Sequence, residues 1–325
     1  MMMRAKRYTV QVTMRAPKLD RITFSIDPVA PFRLDLTAWA LRRRSQNTVD
    51  RWDGATYRRV FPFDDIPIEV AVRQAWPPNT LRLQVTLTGP GLRPEFKHKA
   101  KTLVGKMFGL HVDLASFYQM ASHNAKLQIL VENFRGVKPP CFPTIFETLC
   151  NAFACQQLSL SVGLELLSRL VCACGLTLEQ NGEIQHAFPR PEDLLKLTPN
   201  TIQKLGFSGN KVSAFLELAE SIFNGRISFD SLEKMDNKAV IGWLLKLRGV
   251  GRWTAEYVLL RGLKRLDVFP GDDVGARNRL AKWQHRKEPL DYAAVARLTH
   301  RWQSYAGMVY FHMLLEGLSE AGKLK

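Results

Sequence analysis

At 325 residues the chain is long enough for two or three compact units with sizeable cores. Lys plus Arg outnumbers Asp plus Glu by 46 to 30, a formal net charge of +16 that biases the partner toward a polyanion, although a solvated basic surface would give the same count. No segment is apolar for long enough to cross a bilayer, and the five cysteines, Cys141, Cys150, Cys155, Cys172 and Cys174, are odd in number and set in mostly apolar surroundings; they read as reduced, buried hydrophobes, which excludes a disulfide framework.

The first residues, Met1 to Arg7, are basic but lead into an alternating pattern and not into the apolar core of a signal peptide, so a cytoplasmic, nucleoid-associated protein is expected. Alternation dominates from Tyr8 to Thr88. Tyr8, Val10, Val12 and Met14 come first, then Ile22, Phe24 and Ile26. Trp52-Asp53-Gly54 offers a hairpin turn, Ile68, Val70 and Val72 lie on a returning strand, and Leu81, Leu83, Val85 and Leu87 end the set. One helix is expected to start near Leu36, with Trp39 and Leu41 inward and Arg42, Arg43 and Arg44 outward. That arginine run reads as a solvated face, with contact to DNA as the alternative. The pattern is that of an antiparallel α+β domain over 1–110.

Breakers between Pro90 and Pro94 mark a boundary, and 111–325 reads almost wholly as helix. Pro139-Pro140-Cys141-Phe142-Pro143 is a second punctuation, after which Thr144 and Glu147 make a capping box for a helix through Ala154. Cys155-Gln156-Gln157-Leu158-Ser159 interrupts the apolar pattern, and a second helix runs to Cys174 with Gly175 as its C-cap. Pro199 to Phe223 holds a helix pair broken at Gly206-Phe207-Ser208, with Ser208 as N-cap and Lys211 in the first turn.

The most informative stretch is 237–280. Val240, Ile241, Leu244, Leu245 and Leu247 form an apolar-periodic run that stops at Gly249-Val250-Gly251, and a second run, Ala255, Val258 and Leu259, begins at once. This predicts two helices joined by a tight hairpin at 247–252. The glycines allow positive φ and leave no Cβ in the way of a ligand, while Val250 tucks inward. Outward amides at a helix N-terminus favour a phosphate, and Arg248 and Arg252 flank the spot. Further cations, Arg261, Lys264, Arg265, Arg277, Arg279, Lys282 and Arg286, follow where a DNA backbone would run. Pro270-Gly271-Asp272-Asp273 then precedes Val274-Gly275-Ala276-Arg277, which places Asp273 at or near a third helix N-terminus, where the helix dipole keeps a carboxylate ionised.

The hairpin, its spacing to the Asp, and Gly251-Arg252-Trp253-Thr254-Ala255-Glu256-Tyr257 followed by Asp267-Val268-Phe269-Pro270-Gly271-Asp272-Asp273 resemble the helix-hairpin-helix DNA glycosylase superfamily, and within it the 3-methyladenine DNA glycosylase II family. The resemblance covers roughly Phe142 to Met313. It implies an all-helical glycosylase fold with its core at about 142–285 and C-terminal helices over 290–325, behind an N-terminal sheet domain. It also implies a monofunctional enzyme of base excision repair that flips an alkylated purine out of double-stranded DNA and hydrolyses its N-glycosidic bond.

By the family pattern Asp273, followed by Val274, is the catalytic position, and Asp272 is left with a capping role. Strand-cleaving members carry a Lys two residues after the last hairpin Gly; here that residue is Trp253, so lyase activity is not expected and water is the nucleophile. Trp253, with Tyr257 one turn on, would wall the pocket of a cationic base, although residues at that spacing also read as core. In the family a turn like Gln156-Gln157 faces DNA, with Gln157 as the wedge and Gln156 beside it; a polar interhelical loop is the alternative reading. Trp302, Tyr305, Tyr310, Phe311 and His312 lie on a tail helix that would close the pocket, with Leu314 where the family often has an aromatic residue, and His312 reads as packed and not catalytic. The resemblance further implies a monovalent cation on the carbonyls of Leu247 and Gly249, and a monomer. Four-cysteine iron-sulfur clusters of some relatives lie C-terminal, and no cysteine follows Cys174. The competing expectations are the same scaffold acting on oxidised or mismatched bases, and a non-catalytic DNA-structure binder.

Overall fold

Alternating apolar residues need a partner surface for one face, and in the computed structural model, which describes residues 19–75 and 81–324, they find it in a single antiparallel sheet. The predicted strand from Tyr8 to Met14 lies outside the described residues. The elements are β1 (Asp20–Ile26), α1 (Leu34–Arg42), β2 (Arg51–Trp52), β3 (Thr56–Phe63), β4 (Ile66–Gln74) and β5 (Leu83–Gly89), in sheet order β1-β5-β4-β3-β2. Phe24 pairs with Val85, Val70 with Leu87, and Tyr57 with Val72, so that the large apolar side chains share one buried face. The Asp53 carboxylate accepts from the amides of Ala55 and Thr56 and makes the predicted turn between β2 and β3.

Helices follow: α2 (Pro94–Met107), α3 (Ala115–Ser122), α4 (Ala125–Asn133), α5 (Ile145–Cys155) and α6 (Leu160–Cys174). A two-stranded hairpin, β6 (Thr177–Gln180) and β7 (Glu183–His186), comes next and corrects the expectation of continuous helix. Its turn holds Asn181 and Gly182, both at positive φ, and Leu178 packs with Val60 of β3 and Ala187. Then come α7 (Pro191–Leu194), α8 (Pro199–Lys204), α9 (Gly209–Phe223), α10 (Asn237–Leu244), α11 (Arg252–Arg261), α12 (Val274–Trp283), α13 (Tyr292–Thr299) and α14 (Ala306–Glu320).

Besides the small cluster under the β6–β7 hairpin, three larger apolar clusters hold these elements together. One lies between the sheet face and α1 and α2, one among α5, α6, α9, α10 and α11, and one among α3, α4, α12, α13 and α14. Helix α1 serves two of them: Leu34, Ala38 and Leu41 face the sheet, while Leu36, Trp39 and Ala40 join the C-terminal helices. Sheet region and helical region therefore share a core through α1.

That position corrects the reading of the arginine run. Arg42 and Arg43 are buried: Arg42 donates to the carbonyls of Ser45 and Trp52, and Arg43 turns toward α11. The capping box at α5 is only half made. Thr144 accepts from the Glu147 amide, but the Glu147 carboxylate is drawn away to the buried guanidinium of Arg59 on β3. All five cysteines are free; Cys141 and Cys150 are buried as expected, whereas Cys172 is exposed and Cys155 and Cys174 are half-buried.

Candidate active site

The predicted hairpin forms between α10 and α11. Asp236 caps α10 by accepting from the Ala239 amide, and Gly251 is the N-cap of α11. Of the two glycines only Gly249 needs its conformational freedom, with φ at 78°, and a Cβ there would lie 2.9 Å from the Cβ of Ala214. Gly251 has extended backbone, φ −103°, and a Cβ would meet nothing within 4 Å. Both are exposed, while Val250 between them is buried with Phe153 and Phe215 in the α5–α9 core. The plug is in place, and the surface left open is backbone.

Across from the hairpin, the turn between α5 and α6 is tied to it. Gln156 donates from Nε2 to the Gly249 carbonyl and to Thr254 Oγ1, both at 2.8 Å, so its side chain clamps the turn onto the hairpin. Gln157 is exposed and sits at φ 56°. Lys211, expected only to lie in the first turn of α9, donates to the carbonyls of Ala154 and Gln156 at the end of α5. The orphan carbonyls of that helix end thus have a cationic partner.

Asp273 is the N-cap of α12, its Oδ1 accepting from the Ala276 amide at 2.8 Å and its Oδ2 from the Tyr310 hydroxyl at 3.1 Å. Burial and the nearby Asp273 carboxylate push the Tyr310 phenol upward, so it remains a donor. Asp272 does not cap, which corrects the expectation for it; its carboxylate pairs with Arg252 at 2.7 Å. The two acids are adjacent in the chain, but Asp273 is the one that turns a carboxylate oxygen onto the first turn of α12. The preceding loop is fixed by Glu256 of α11, which accepts from the Gly271 amide at 2.9 Å and the Tyr292 hydroxyl at 2.6 Å. Burial raises Glu256 despite those two donors.

Asp273 opens onto a cavity of about 700 Å³. Trp253 and Tyr257 line it too, their rings 5.3 Å apart and inclined by 32°, together with Tyr310, Met313 and Leu314 of α14; Gln156 and Gln157 border it. Tyr257 is nearly all buried, its hydroxyl accepting from Arg43, so it is both core and wall. Of the tail aromatics only Tyr310 reaches the cavity. Trp302, Tyr305 and Phe311 pack into the C-terminal core, and His312 is buried with Nδ1 against the Met308 carbonyl, where burial lowers its pKa to about 4.

Several cations expected along a DNA backbone serve the fold instead. Arg261 is fully buried among Phe142, Tyr257 and Phe311, Arg265 caps the carbonyls of Glu233 and Met235, and Arg277 donates to the Leu290 carbonyl. Arg252 lies 3.6 Å over the Tyr292 ring and Arg279 is paired with Glu316. Arg248 remains exposed beside the hairpin, 3.7 Å from Glu217.

Residues 150–304 match the HhH-GPD superfamily of base excision DNA repair proteins. The DNA-3-methyladenine glycosylase of Bacillus subtilis is 32% identical over 214 residues, covering 65% of this chain and 71% of its own length. The chain belongs to this glycosylase family. As a DNA glycosylase its partner is DNA, and the match contains the whole hairpin and Asp273 loop. The 3-methyladenine DNA glycosylase of Archaeoglobus fulgidus has the same fold at 22% identity, with a TM-score of 0.78 over 90% of this glycosylase and 97% of the archaeal chain. That of Schizosaccharomyces pombe, solved on abasic DNA, shares the fold at 23% identity with a TM-score of 0.53 over 61% of this glycosylase and 95% of the yeast chain.

Two site residues lie outside what the sequence predicts: Arg43, which lines the cavity, and Tyr310, which donates to Asp273. Nothing local marks either one: Arg43 lies in a basic run that looks solvated, and Tyr310 stands 37 positions from the acid it holds.

Proposed function

We propose that this glycosylase releases alkylated purines from duplex DNA by hydrolysis, with Asp273 as the catalytic carboxylate and without strand cleavage. The observation that carries the reading is the placement of Asp273, held through both oxygens by Ala276 and Tyr310, on the same cavity as the Trp253–Tyr257 ring pair. As the bond from C1′ to the base breaks, positive charge develops on the sugar, and a carboxylate already oriented stabilises it without reorganising. The same group orients water or takes its proton. The indole of Trp253 supplies a flat electron-rich surface to a positively charged base. It also occupies the position where a strand-cleaving relative would carry its amine.

Exposed backbone at Gly249 and Gly251, beside Arg248 and Arg252, is the phosphate anchor. Gln157, exposed at the turn that Gln156 clamps to the hairpin, is the wedge into the space left by the flipped nucleotide. The Leu247 carbonyl accepts from the Val250 amide and the Gly249 carbonyl from Gln156, which leaves one lone pair on each. Two neutral oxygens suit a singly charged cation, which would add positive charge at the anchor. The enzyme acts as a monomer.

Release of free bases from methylated duplex DNA tests the reading. Wild type should release methylated purines, with strand breaks only after hot alkali, and Asp273→Asn should lower release by roughly 100- to 1,000-fold. Asn still caps α12, so folding and DNA affinity should hold. Equal release by both proteins, or breaks without alkali, would reject the assignment.

A further inference from the structure

Arg43 is not explained by a pocket built for a positively charged base. It ends α1 in the left-handed region, φ 63°, is 4% exposed, and lines the cavity beside Trp253, Tyr257 and Tyr310. Its Nη1 donates to the Tyr257 hydroxyl at 2.9 Å and its Nη2 to Asn151 Oδ1 at 2.6 Å, both neutral acceptors. Nε has no partner among the described residues. The acids whose charge reaches Arg43, Asp50 and Glu147, are both paired with Arg59, and Asp273 on the same cavity is held by Ala276 and Tyr310. A buried guanidinium held only by neutral groups is costly unless something that enters the cavity answers its charge. The left-handed backbone at a non-glycine residue is a second cost borne at the same position.

A base that is already cationic leaves as a neutral molecule, and beside it a fixed positive charge is a repulsion. An uncharged purine differs. When its C1′–N9 bond breaks, the electron pair goes to the base, which departs as an anion with charge spread over its ring nitrogens and any exocyclic oxygen. Water bonds to C1′ and yields its proton through Asp273 to solvent, and the departing base takes a proton from water. A guanidinium beside the base stabilises that anion, and its fork matches an O6/N7 acceptor edge.

We propose that Arg43 is a specificity-determining residue that extends this glycosylase to uncharged purines with an acceptor edge, by stabilising the leaving base. The proposal rests on the glycosylase reading above and concerns which bases the same cavity releases.

Single-turnover release of hypoxanthine, uncharged, and of 7-methylguanine, cationic, from otherwise identical duplexes tests it. Wild type should release both. Arg43→Gln should slow hypoxanthine release by roughly 10- to 100-fold while leaving 7-methylguanine release unchanged or faster. Arg43→Lys, which keeps the charge but not the fork, should fall between. Asn151→Asp, which gives Arg43 a carboxylate partner without removing it, should move the preference toward 7-methylguanine, and it stands as the test if Arg43→Gln does not fold. Equal slowing of both bases in these variants would reduce Arg43 to a support for Tyr257 and overturn the proposal. So would wild-type release of 7-methylguanine without hypoxanthine. Release of neither base would overturn the glycosylase reading, and the role of Arg43 with it.

Discussion

His312 shows how a single buried side chain makes stability depend on pH. It is fully buried in α14, its ring 5.2 Å from that of Phe117, and burial holds its pKa down at about 4 against an ordinary 6.5. The folded state resists protonation, so its contribution is complete above pH 6.5 and is lost as the pH falls from there toward 4. At pH 5 the loss amounts to about 2 kcal/mol. Urea unfolding at pH 7.5 and pH 5 should show a smaller drop for His312→Met than for wild type. An identical drop would mean that His312 does not titrate between the two states.

At the scale of elements the hairpin separates two uses of glycine. Gly249→Ala forces a side chain into the left-handed region and against Ala214, so thermal unfolding should show a loss of about 1–3 kcal/mol. Gly251→Ala meets no obstruction and no unusual φ, so its melting temperature should match wild type. Its added methyl projects from the exposed anchor instead, and affinity for duplex DNA should fall by roughly tenfold, about 1.4 kcal/mol. If Gly251→Ala bound DNA normally, the hairpin backbone would not be the phosphate site. The α5–α6 turn depends on the same hairpin through Gln156, so the two segments proposed as anchor and wedge form one unit.

For the whole molecule, the link that matters is between sheet and helices. Arg59 of β3 pairs with Asp50 at 2.9 Å and with Glu147 at the start of α5, all three buried. The Tyr57 hydroxyl adds a 2.6 Å bond to Asp50. Removing one member leaves an uncompensated buried charge, so Arg59→Met should cost about 3–5 kcal/mol in urea unfolding. The added change Glu147→Leu should recover part of that loss, since it removes one of the stranded carboxylates. With α1 embedded in two cores, sheet and helices should unfold in one transition.

What could be read in sequence was local. The hairpin, the N-cap at Asp273, the caps at Thr144 and Gly175 and the sheet alternation all follow from the chemistry of residues within a few positions of one another, which is the range over which turns and helix ends are decided. The Asn181-Gly182 turn belongs to the same class: an Asn-Gly pair flanked by Leu178 and Ile184 is itself a local hairpin signal. What lay beyond sequence was long-range. Arg43 meets Tyr257 across 214 positions, Arg59 meets Glu147 across 88 and Tyr310 meets Asp273 across 37. Sequence by itself determined the family, the hairpin and the position of Asp273 at a helix N-terminus. Only the tertiary structure decided which arginines are buried, which carboxylate caps and which pairs, and which side chains line the cavity, because a charged side chain's burial depends on what distant segments pack around it, and no neighbour in the chain records that.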